Sequence, residues 1–320
     1  MSQNEIIQGN NSLNIKKIQS KGSRFESRAF NPYRILDLFL CSKWFWTIKR
    51  RHDGNNLSLL IEGQFVDADL TMDARLVMSM PTAISFDVVK VGSQYGLVYE
   101  LLHAHTLSDC LRQAPERVDE YARKYADLFR QMHQIRVPED SSVPDALEHE
   151  RGQVLHVRRY FPQENIDLLL RILDAIPSGR SLLHLDLQAK NVMLQGEELM
   201  LIDMGEMGYG HPVLDLAHAY SALVLFVGDY DKTIGIPREL GNELWNRAIN
   251  YYFEGLPAEV VELRKEQIKA VACIRNFSWL ALSDSFPEAV INECKVLFDQ
   301  RVTSHREHIL EVCRTLKDWE

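Results

Sequence analysis

The spacing of apolar residues changes near residue 102, and this change constrains the fold more than any other feature of the sequence. Before it, the chain has short runs rich in β-branched and aromatic side chains, which is typical of strands. We predict strands at 34–40, 43–49, 58–63, 84–92 and 95–102, with a hairpin turn at 92–94. One helix is predicted among them, at 67–80, because Pro81 stops the helical pattern.

Beyond residue 102 the apolar residues recur at helical spacing. Thr106 is a good N-cap for a first helix, and further helices are predicted at 117–135 and 164–176. The helix at 117–135 carries one apolar face, formed by Tyr121, Tyr125, Leu128, Phe129, Met132 and Ile135. From Pro212 onward nearly every segment has a helical period. These patterns predict a small strand-rich region at 1–102 and a larger helical region at 103–320.

Composition narrows the class of protein. With 46% hydrophobic and 25% charged residues, the chain of 320 residues resembles an ordinary globular protein. A net charge of -9 argues against a nucleic-acid partner. The longest apolar runs, such as 219–228, are shorter than the roughly 20 residues of a membrane span, so no membrane partner is predicted. Five scattered cysteines and an N-terminus without a signal pattern predict reduced thiols and a cytoplasmic location, with the oligomeric state left open.

Three polar residues are candidates for a catalytic and metal-binding site. Asp186 and Asn191 lie five residues apart in HLDLQAKNVM, and Asp203 follows the apolar run LMLI. Phosphoryl transfer needs a carboxylate that orients the attacking hydroxyl, and Mg²⁺ needs oxygen ligands. A tight loop with an aspartate and then an asparagine supplies both, and a strand joined by a turn at 195–198 would bring Asp203 to the same metal.

These residues resemble the catalytic and metal-binding loops of the aminoglycoside phosphotransferase and choline kinase superfamily. The segment YGHPVLDLAHAY at 209–220 is also similar to the Pro and Asp-Leu-Ala that follow the metal aspartate in these enzymes. The resemblance implies an α+β, two-lobed protein-kinase-like fold, with a small antiparallel-sheet nucleotide-binding lobe at 1–102 and a helical catalytic lobe at 103–320. It implies ATP and Mg²⁺ as cofactors.

The resemblance also assigns roles to individual residues. Asp186 would be the catalytic base, and Asn191 and Asp203 would be the magnesium ligands. Asp215 would tie the catalytic loop to the helix that follows, and His184 would orient the loop backbone as a packed core histidine.

The chain departs from the usual His-Gly-Asp-x-His-Pro-Gly-Asn pattern at three informative positions. Leu185 replaces a glycine, Gln188 replaces a histidine, and Lys190 replaces the glycine before the asparagine. Lys190 either places a charge near the phosphates or points to water. The substitutions leave the acids intact. Leu185 and Gln188, together with Asp37, motivate an alternative function as a catalytically impaired pseudokinase that binds a nucleotide or a partner.

The residues expected to bind the nucleotide are less clearly indicated by the sequence than those of the catalytic loop. Lys49 is a candidate for the strand-borne phosphate-binding lysine, although it could also be a surface residue; another alignment puts an acid, Asp37, at the lysine position. The resemblance places the adenine against the backbone at Glu100 to Leu102.

The predicted function is therefore ATP- and Mg²⁺-dependent phosphorylation of a hydroxyl on a small molecule that is aminoglycoside-, choline- or sugar-like. A third possibility is an unrelated helical interaction protein. The acceptor is expected in the helical region near Asp186, where Glu206, Tyr209 and Asp215 flank the metal loop and segments 250–255 and 276–286 supply aromatic residues. Those aromatic residues would either bind a cation or pack in the core.

Overall fold

The computed structural model describes residues 6–8, 11–13, 15–17, 45–52, 55–62, 79–83, 85–91, 94–99, 102–226, 229–282 and 286–319. The chain divides into two compact units. The first comprises Met1–Ala104 with Gln195–Gly205, and the second comprises His105–Leu194 with Glu206–Glu320. The main division thus falls two residues from the predicted boundary, and a short hairpin segment joins the first unit.

The strands, in chain order, are β1 (Ile6–Gln8), β2 (Asn11–Leu13), β3 (Ile15–Lys17), β4 (Phe45–His52), β5 (Asn55–Glu62), β6 (Ser85–Val91), β7 (Gln94–Tyr99), β8 (His105–Thr106), β9 (Ser181–Leu183), β10 (Val192–Gln195), β11 (Glu198–Leu201) and β12 (Gly208–Gly210).

The α-helices are α1 (Leu107–Gln113), α2 (Val118–Gln134), α3 (Ala146–His156), α4 (Gln163–Asp174), α5 (Pro212–Tyr220), α6 (Tyr230–Ile234), α7 (Arg238–Tyr252), α8 (Ala258–Ser278), α9 (Glu288–Arg301) and α10 (Arg306–Arg314). Short 3₁₀ turns lie at Pro115–Arg117, Val157–Arg159, Met204–Glu206, Trp279–Leu282, Thr303–His305 and Leu316–Asp318, and one π-helical turn lies at Ser221–Leu225.

Antiparallel pairing organises the first unit. Strand β1 pairs with β2, β4 with β5, and β6 with both β3 and β7. Val91 lies opposite Gln94, which confirms the predicted hairpin between β6 and β7. The predicted strand at 34–40 and most of the helix at 67–80 lie outside the described residues, and Ser79 and Met80 lie in a turn. Strands β1 to β3 were not predicted, because three residues are too few to show a period.

Helices form the core of the second unit. Thr106 caps α1 as predicted, since its hydroxyl accepts a hydrogen bond from the backbone N–H of Asp109 at 3.0 Å. The predicted apolar face of α2 is buried from Tyr121 to Met132, whereas Ile135 lies just beyond the helix and is half-buried. In α8, the ring of Phe277 packs against Phe298 at 4.7 Å between centroids.

Helix α5 is buried on nearly every side. His211 caps its N-terminus, with Nδ1 accepting from the backbone N–H of Val213 at 3.2 Å, and Pro212 occupies the first turn. Asp215 and His218 are its buried polar residues. A polar side chain on such a helix must find partners inside the protein, because water cannot reach it.

The four cysteines in the described part of the chain are buried and form no disulfide; they are Cys110, Cys273, Cys294 and Cys313. None of the helices in this part of the chain combines the length and the apolar character that crossing a membrane requires.

Candidate active site

Strand β9 fixes the start of the loop that carries Asp186. It pairs antiparallel with β12, with Leu183 opposite Gly208, and all three of its residues are buried. The backbone N–H of Leu182 donates to the carbonyl of Ile135 at 3.0 Å, which ties the strand to the end of α2. The loop therefore begins from a rigid, buried backbone.

Asp215 on α5 holds the first two residues of the loop. Its carboxylate accepts hydrogen bonds from the backbone N–H groups of His184, at 3.0 Å, and Leu185, at 2.8 Å. His133 Nε2 lies 3.2 Å from the same carboxylate. Burial by itself raises the pKa of Asp215, but these donors outweigh it and lower the pKa. The predicted structural role of Asp215 is confirmed, because this fully buried carboxylate holds the backbone of the loop.

His184 packs in the core, as predicted. Its side chain is completely buried, and Nδ1 lies 3.3 Å from the backbone nitrogen of Asp186, from which it accepts a hydrogen bond. The imidazole therefore orients the loop backbone.

Leu185 has a backbone conformation that favours glycine, the residue that the family pattern has at this position. Its φ is 63°, in the left-handed region, where a side chain costs about 1–2 kcal/mol. The side chain is only 3% exposed and packs beside Gly208, so that its burial offsets this strain. A leucine is thus accommodated at this position by burial of its side chain.

Asp186 and Asn191 form a closed pair within one tight turn. The Asn191 side-chain nitrogen donates to the backbone carbonyl of Asp186 at 2.8 Å and to its Oδ2 at 2.9 Å. Burial raises the pKa of Asp186, which makes the carboxylate a better proton acceptor. The structure therefore brings together the predicted base and one predicted metal ligand.

Gln188, which stands where the family pattern has a histidine, contacts the carboxylate of Asp186. Its Nε2 lies 3.3 Å from both carboxylate oxygens of Asp186 and donates to them. Its Oε1 is buried and has no hydrogen-bond partner among the described residues. This carbonyl oxygen is an acceptor left for a donor that the described protein does not supply.

The orientation of Asn191 suits a cation. Because its amide nitrogen is committed to two oxygens of Asp186, Oδ1 is the free end, and no described protein group donates to it. A neutral amide oxygen is a ligand that Mg²⁺ accepts alongside carboxylate and phosphate oxygens. The residues present on this loop therefore fit a magnesium ion.

The remaining predicted site residues lie in or beside the first unit. Asp203 follows β11 in the first unit, with φ 59°, whereas Asp186 and Asn191 belong to the second. Lys49 lies on β4, paired with Ser58 of β5. Leu102 is half-buried, and Glu100 lies outside the described residues. Their functional roles stay predictions.

Lys190 makes a contact that the sequence did not predict. Its Nζ donates to the backbone carbonyl of Lys232 in α6 at 2.7 Å. The lysine therefore links the loop to a neighbouring helix rather than simply pointing to water, and a place near the phosphates stays a prediction.

Tyr252 and Phe253, two of the aromatic candidates, are engaged in packing: the hydroxyl of Tyr252 lies 2.8 Å from His133 Nδ1, and Phe253 contacts Trp319 at 5.8 Å between centroids. Packing is thus observed for these two residues.

Other rings lie under guanidinium groups. Arg123 lies over the ring of Tyr251 at 3.9 Å, and Arg180 lies over the ring of Tyr209 at 4.3 Å. Binding of a cationic acceptor by the aromatic residues stays a prediction.

Sequence reasoning missed a cluster of charged residues behind the loop. Glu150 on α3 lies 2.9 Å from His218 Nε2, and Arg275 on α8 lies 3.8 Å from the same carboxylate oxygen. A second and more exposed pair is formed by Glu206 and His149, with Nε2 of His149 3.6 Å from the carboxylate. Their contact lowers the pKa of Glu206 and raises the pKa of His149. The only available signal was that Asp215 and His218 lie one turn apart on a helix that is otherwise apolar.

Comparison with solved structures identifies the fold. A choline/ethanolamine kinase family protein from Mesorhizobium loti is similar with a TM-score of 0.51 and 17% identity, covering 88% of this chain and 92% of that chain. Choline kinase from Cryptosporidium parvum is similar with a TM-score of 0.52 and 12% identity, covering 90% and 94%. Aminoglycoside phosphotransferase APH(2″)-Ib with ADP bound is similar with a TM-score of 0.50 and 12% identity, covering 87% and 93%. These similarities confirm the predicted α+β, protein-kinase-like fold.

Sequence comparison identifies the family. No curated protein matches the chain. The sequence profile of the phosphotransferase enzyme family matches residues 50–258, which span the loop of Asp186, the aspartate at 203 and helix α5. That match covers well over half of the chain, and it confirms the resemblance inferred from the motifs. This chain therefore belongs to the phosphotransferase enzyme family, whose members act on small molecules.

Proposed function

We propose that this protein transfers the terminal phosphoryl group of ATP, with Mg²⁺, to a hydroxyl of a small molecule. The observation that carries the proposal is the Asp186–Asn191 pair, in which one loop presents an oriented carboxylate beside an amide oxygen to which no described residue donates. Membership of the phosphotransferase enzyme family supports the reaction class.

Asp186 is the proposed catalytic base. Donors from Gln188 and Asn191 hold its carboxylate in one orientation. Its raised pKa suits the acceptance of a proton from the acceptor hydroxyl, because a stronger base takes the proton more readily as the O–P bond forms. The buried Oε1 of Gln188 is placed to accept a hydrogen bond from a donor group of the acceptor or from a bound water.

Asn191 and Asp203 are the proposed magnesium ligands. When bound, the ion would offset the negative charge that develops during transfer. Asn191 contributes an amide oxygen, and Asp203 contributes a carboxylate at the end of β11. Asp203 has a left-handed φ, which is uncommon but which aspartate tolerates better than most residues. Such backbone conformations cluster at functional sites, which supports a role for this residue.

Nucleotide binding is proposed for the first unit. Lys49 would bind the phosphates, and the backbone at Glu100 and Leu102 would bind the adenine. The similar structure of APH(2″)-Ib contains ADP, which supports a nucleotide as the phosphoryl donor.

The proposed acceptor is an alcohol of the aminoglycoside, choline or sugar type. Similar structures are described as choline kinase and aminoglycoside phosphotransferase, which supports this range without selecting one member. Glu206, with a side chain 22% exposed, is a candidate to contact the acceptor beyond the metal loop.

The alternative function as a pseudokinase is not supported by the two described residues that motivated it, Leu185 and Gln188. Leu185 is accommodated with a left-handed φ, and Gln188 donates to Asp186. Asp37, the third motivation, lies outside the described residues. An unrelated interaction protein with chance acids is wrong, because the chain belongs to the phosphotransferase enzyme family.

Two variants test the proposal. Mg²⁺–ATP at roughly millimolar concentration should raise the melting temperature of the wild type, since ligands that bind only the folded state stabilise it. Asp203→Ala should lose that shift, whereas Glu198→Ala, an exposed change on the adjoining strand, should keep it. Absence of any shift in the wild type contradicts the proposed cofactors.

Transfer is measured with labelled ATP across a panel of amino alcohols, sugars and aminoglycosides. With the acceptor that the wild type phosphorylates, Asp186→Asn should keep nucleotide binding and lower turnover about 10²–10⁴-fold, the usual contribution of a general base. Asp167→Asn, at an exposed site on α4, is the matched control. Unchanged turnover in Asp186→Asn would overturn the role of this residue.

A further inference from the structure

The residue before the proposed base is held at both of its backbone groups by one turn of α5. The N–H of Leu185 donates to Asp215 Oδ1 at 2.8 Å, and its carbonyl is hydrogen-bonded to His218 Nδ1. Asp215 and His218 are three residues apart, so they lie on the same face of the helix. A left-handed leucine thus has its amide and its carbonyl fixed from the same side.

The second nitrogen of His218 faces a carboxylate. Nε2 lies 2.9 Å from Glu150 Oε1, and both side chains are buried, with exposures of 5% for His218 and 0% for Glu150. The approach is close, but it lacks the alignment of a hydrogen bond, and neither carboxylate oxygen of Glu150 has a hydrogen-bond partner among the described residues. His218 therefore contacts the Leu185 carbonyl through one ring nitrogen and faces the Glu150 carboxylate with the other.

Glu150 is ionised in this arrangement. Burial by itself raises its pKa, but His218 and Arg275 outweigh burial and lower the pKa to about 2. Arg275 Nη1 lies 3.8 Å from Glu150 Oε1 and donates to Gln153 Oε1 at 3.3 Å. Glu150 and Gln153 lie on α3, and Arg275 lies on α8, so residues of three helices meet behind the carbonyl of Leu185.

This arrangement has a consequence for Asp186. Leucine favours negative φ, so loss of the contact from His218 would allow Leu185 to relax and the peptide plane between residues 185 and 186 to rotate. The carboxylate of Asp186 would then leave its position, and a displacement of about 1 Å near the reacting atoms can cost roughly 10²-fold in rate.

We propose that Glu150 and His218 are positioning residues for phosphoryl transfer: Glu150 holds the imidazole of His218, and His218 holds the Leu185 carbonyl that sets the direction of Asp186. The effect on rate rests on the proposed function, whereas the effect on the loop backbone does not. A direct role of Glu150 in binding a cationic acceptor is opposed by its complete burial and its contacts with His218 and Arg275.

Two substitutions at His218 separate its contacts. The side-chain amide of asparagine reaches where Nδ1 lies, so His218→Asn can still donate to the Leu185 carbonyl but not to Glu150. The amide of glutamine reaches where Nε2 lies, so His218→Gln can meet Glu150 but not Leu185. Both variants remove the ring, which makes them matched in lost packing.

Hydrogen exchange of the backbone reports the positioning without any substrate. In peptides that cover residues 183–190, we expect the amides of Leu185 and Asp186 to exchange at least tenfold faster in His218→Gln than in the wild type. His218→Asn should stay within about threefold of the wild type. Equal exchange in the two variants overturns the proposal, as does faster exchange in His218→Asn. If the wild type fails to bind Mg²⁺–ATP, the proposed function fails while this result still stands.

Turnover tests the same idea in the folded, nucleotide-bound protein, with slow hydrolysis of Mg²⁺–ATP by water as the assay. We expect kcat to fall about 10²-fold in His218→Gln and less than about fivefold in His218→Asn, with KM for ATP changed less than about threefold in both. A change confined to KM contradicts positioning, because it would place His218 in nucleotide binding.

A double-mutant cycle tests the role of Glu150. Glu150→Gln should lower kcat about tenfold in the wild type but less than about twofold in the His218→Asn background, because Glu150 acts through the ring that this variant lacks. Glu148→Gln is the matched control on the same helix, since its side chain is 71% exposed, and it should change nothing. Equal losses in the two backgrounds overturn the proposal and indicate that Glu150 acts independently of His218.

Discussion

Truncation of Leu185 tests whether the loop stores backbone strain. Leu185→Ala removes the buried side chain but keeps a Cβ at φ 63°, whereas Leu185→Gly removes the Cβ as well. Comparing the two variants isolates the cost of placing a side chain in the left-handed region.

The magnitude follows from the environment of the residue. Because the leucine side chain is 3% exposed, its loss in Leu185→Ala should lower the free energy of unfolding by about 2–5 kcal/mol. Glycine relieves about 1–2 kcal/mol of left-handed strain. Its greater freedom in the unfolded chain offsets about 0.5–1 kcal/mol of that gain. We therefore expect Leu185→Gly to be more stable than Leu185→Ala by about 0.5–1 kcal/mol, and both to be less stable than the wild type.

Urea unfolding followed by far-UV circular dichroism measures these differences. Gly152 provides the control, because it lies within α3 and a Cβ added there meets no atom within 4 Å. There the order should reverse, with Gly152→Ala more stable than the wild type by about 0.4–1 kcal/mol. If alanine is as stable as glycine, or more stable, at position 185, the leucine is not strained and the reasoning about the loop is wrong.

Further predictions concern the surroundings of the loop. Tyr125→Phe should lower the free energy of unfolding by about 1–2 kcal/mol, measured by urea unfolding, because the hydroxyl of this buried tyrosine donates to the carbonyl of Leu187. Gln188→Leu should lower turnover roughly tenfold at unchanged ATP affinity, measured with labelled ATP, because the carboxylate of Asp186 loses one of the two side-chain donors that orient it. Acid unfolding should show the contribution of Glu150, because folding lowers the pKa of this carboxyl from 4.5 to about 2. Its ionised form therefore stabilises the fold above pH 4.5, and this stabilisation is lost as the pH falls from 4.5 towards about 2. Glu150→Gln should show a smaller loss over the same pH range, and an identical loss would contradict the ionised pair.

Much of the loop could be predicted from the sequence. The order of His184, Asp186 and Asn191 predicted that these residues lie together in one loop, because a tight turn places residues at these spacings beside one another. Asp215 could be assigned from the resemblance, and its hydrogen bonds to the loop backbone bear this out. The first conclusion depends on local geometry, which residue spacing determines, whereas the second came from the family pattern, because Asp215 lies 30 residues from Leu185 along the chain.

Other features could not be predicted. The sequence left Lys190 with two alternatives and did not predict its contact with the carbonyl of Lys232, because this contact joins segments far apart in the chain. The replacement of glycine by Leu185 looked damaging, whereas the structure shows a left-handed φ whose strain the buried side chain offsets. A residue type states a conformational preference, and packing can override it.

The sequence by itself determined the two kinds of secondary structure, the family and the polar residues of the loop, because apolar periodicity and short spacings are local properties of the chain. Only the tertiary structure decided which charges face one another behind that loop. Glu150 belongs to a helix whose sequence shows no apolar face, and nothing in its neighbours indicates complete burial beside His218 and Arg275. The partner of a buried charge is set by how helices pack, and that information lies between distant segments of the chain.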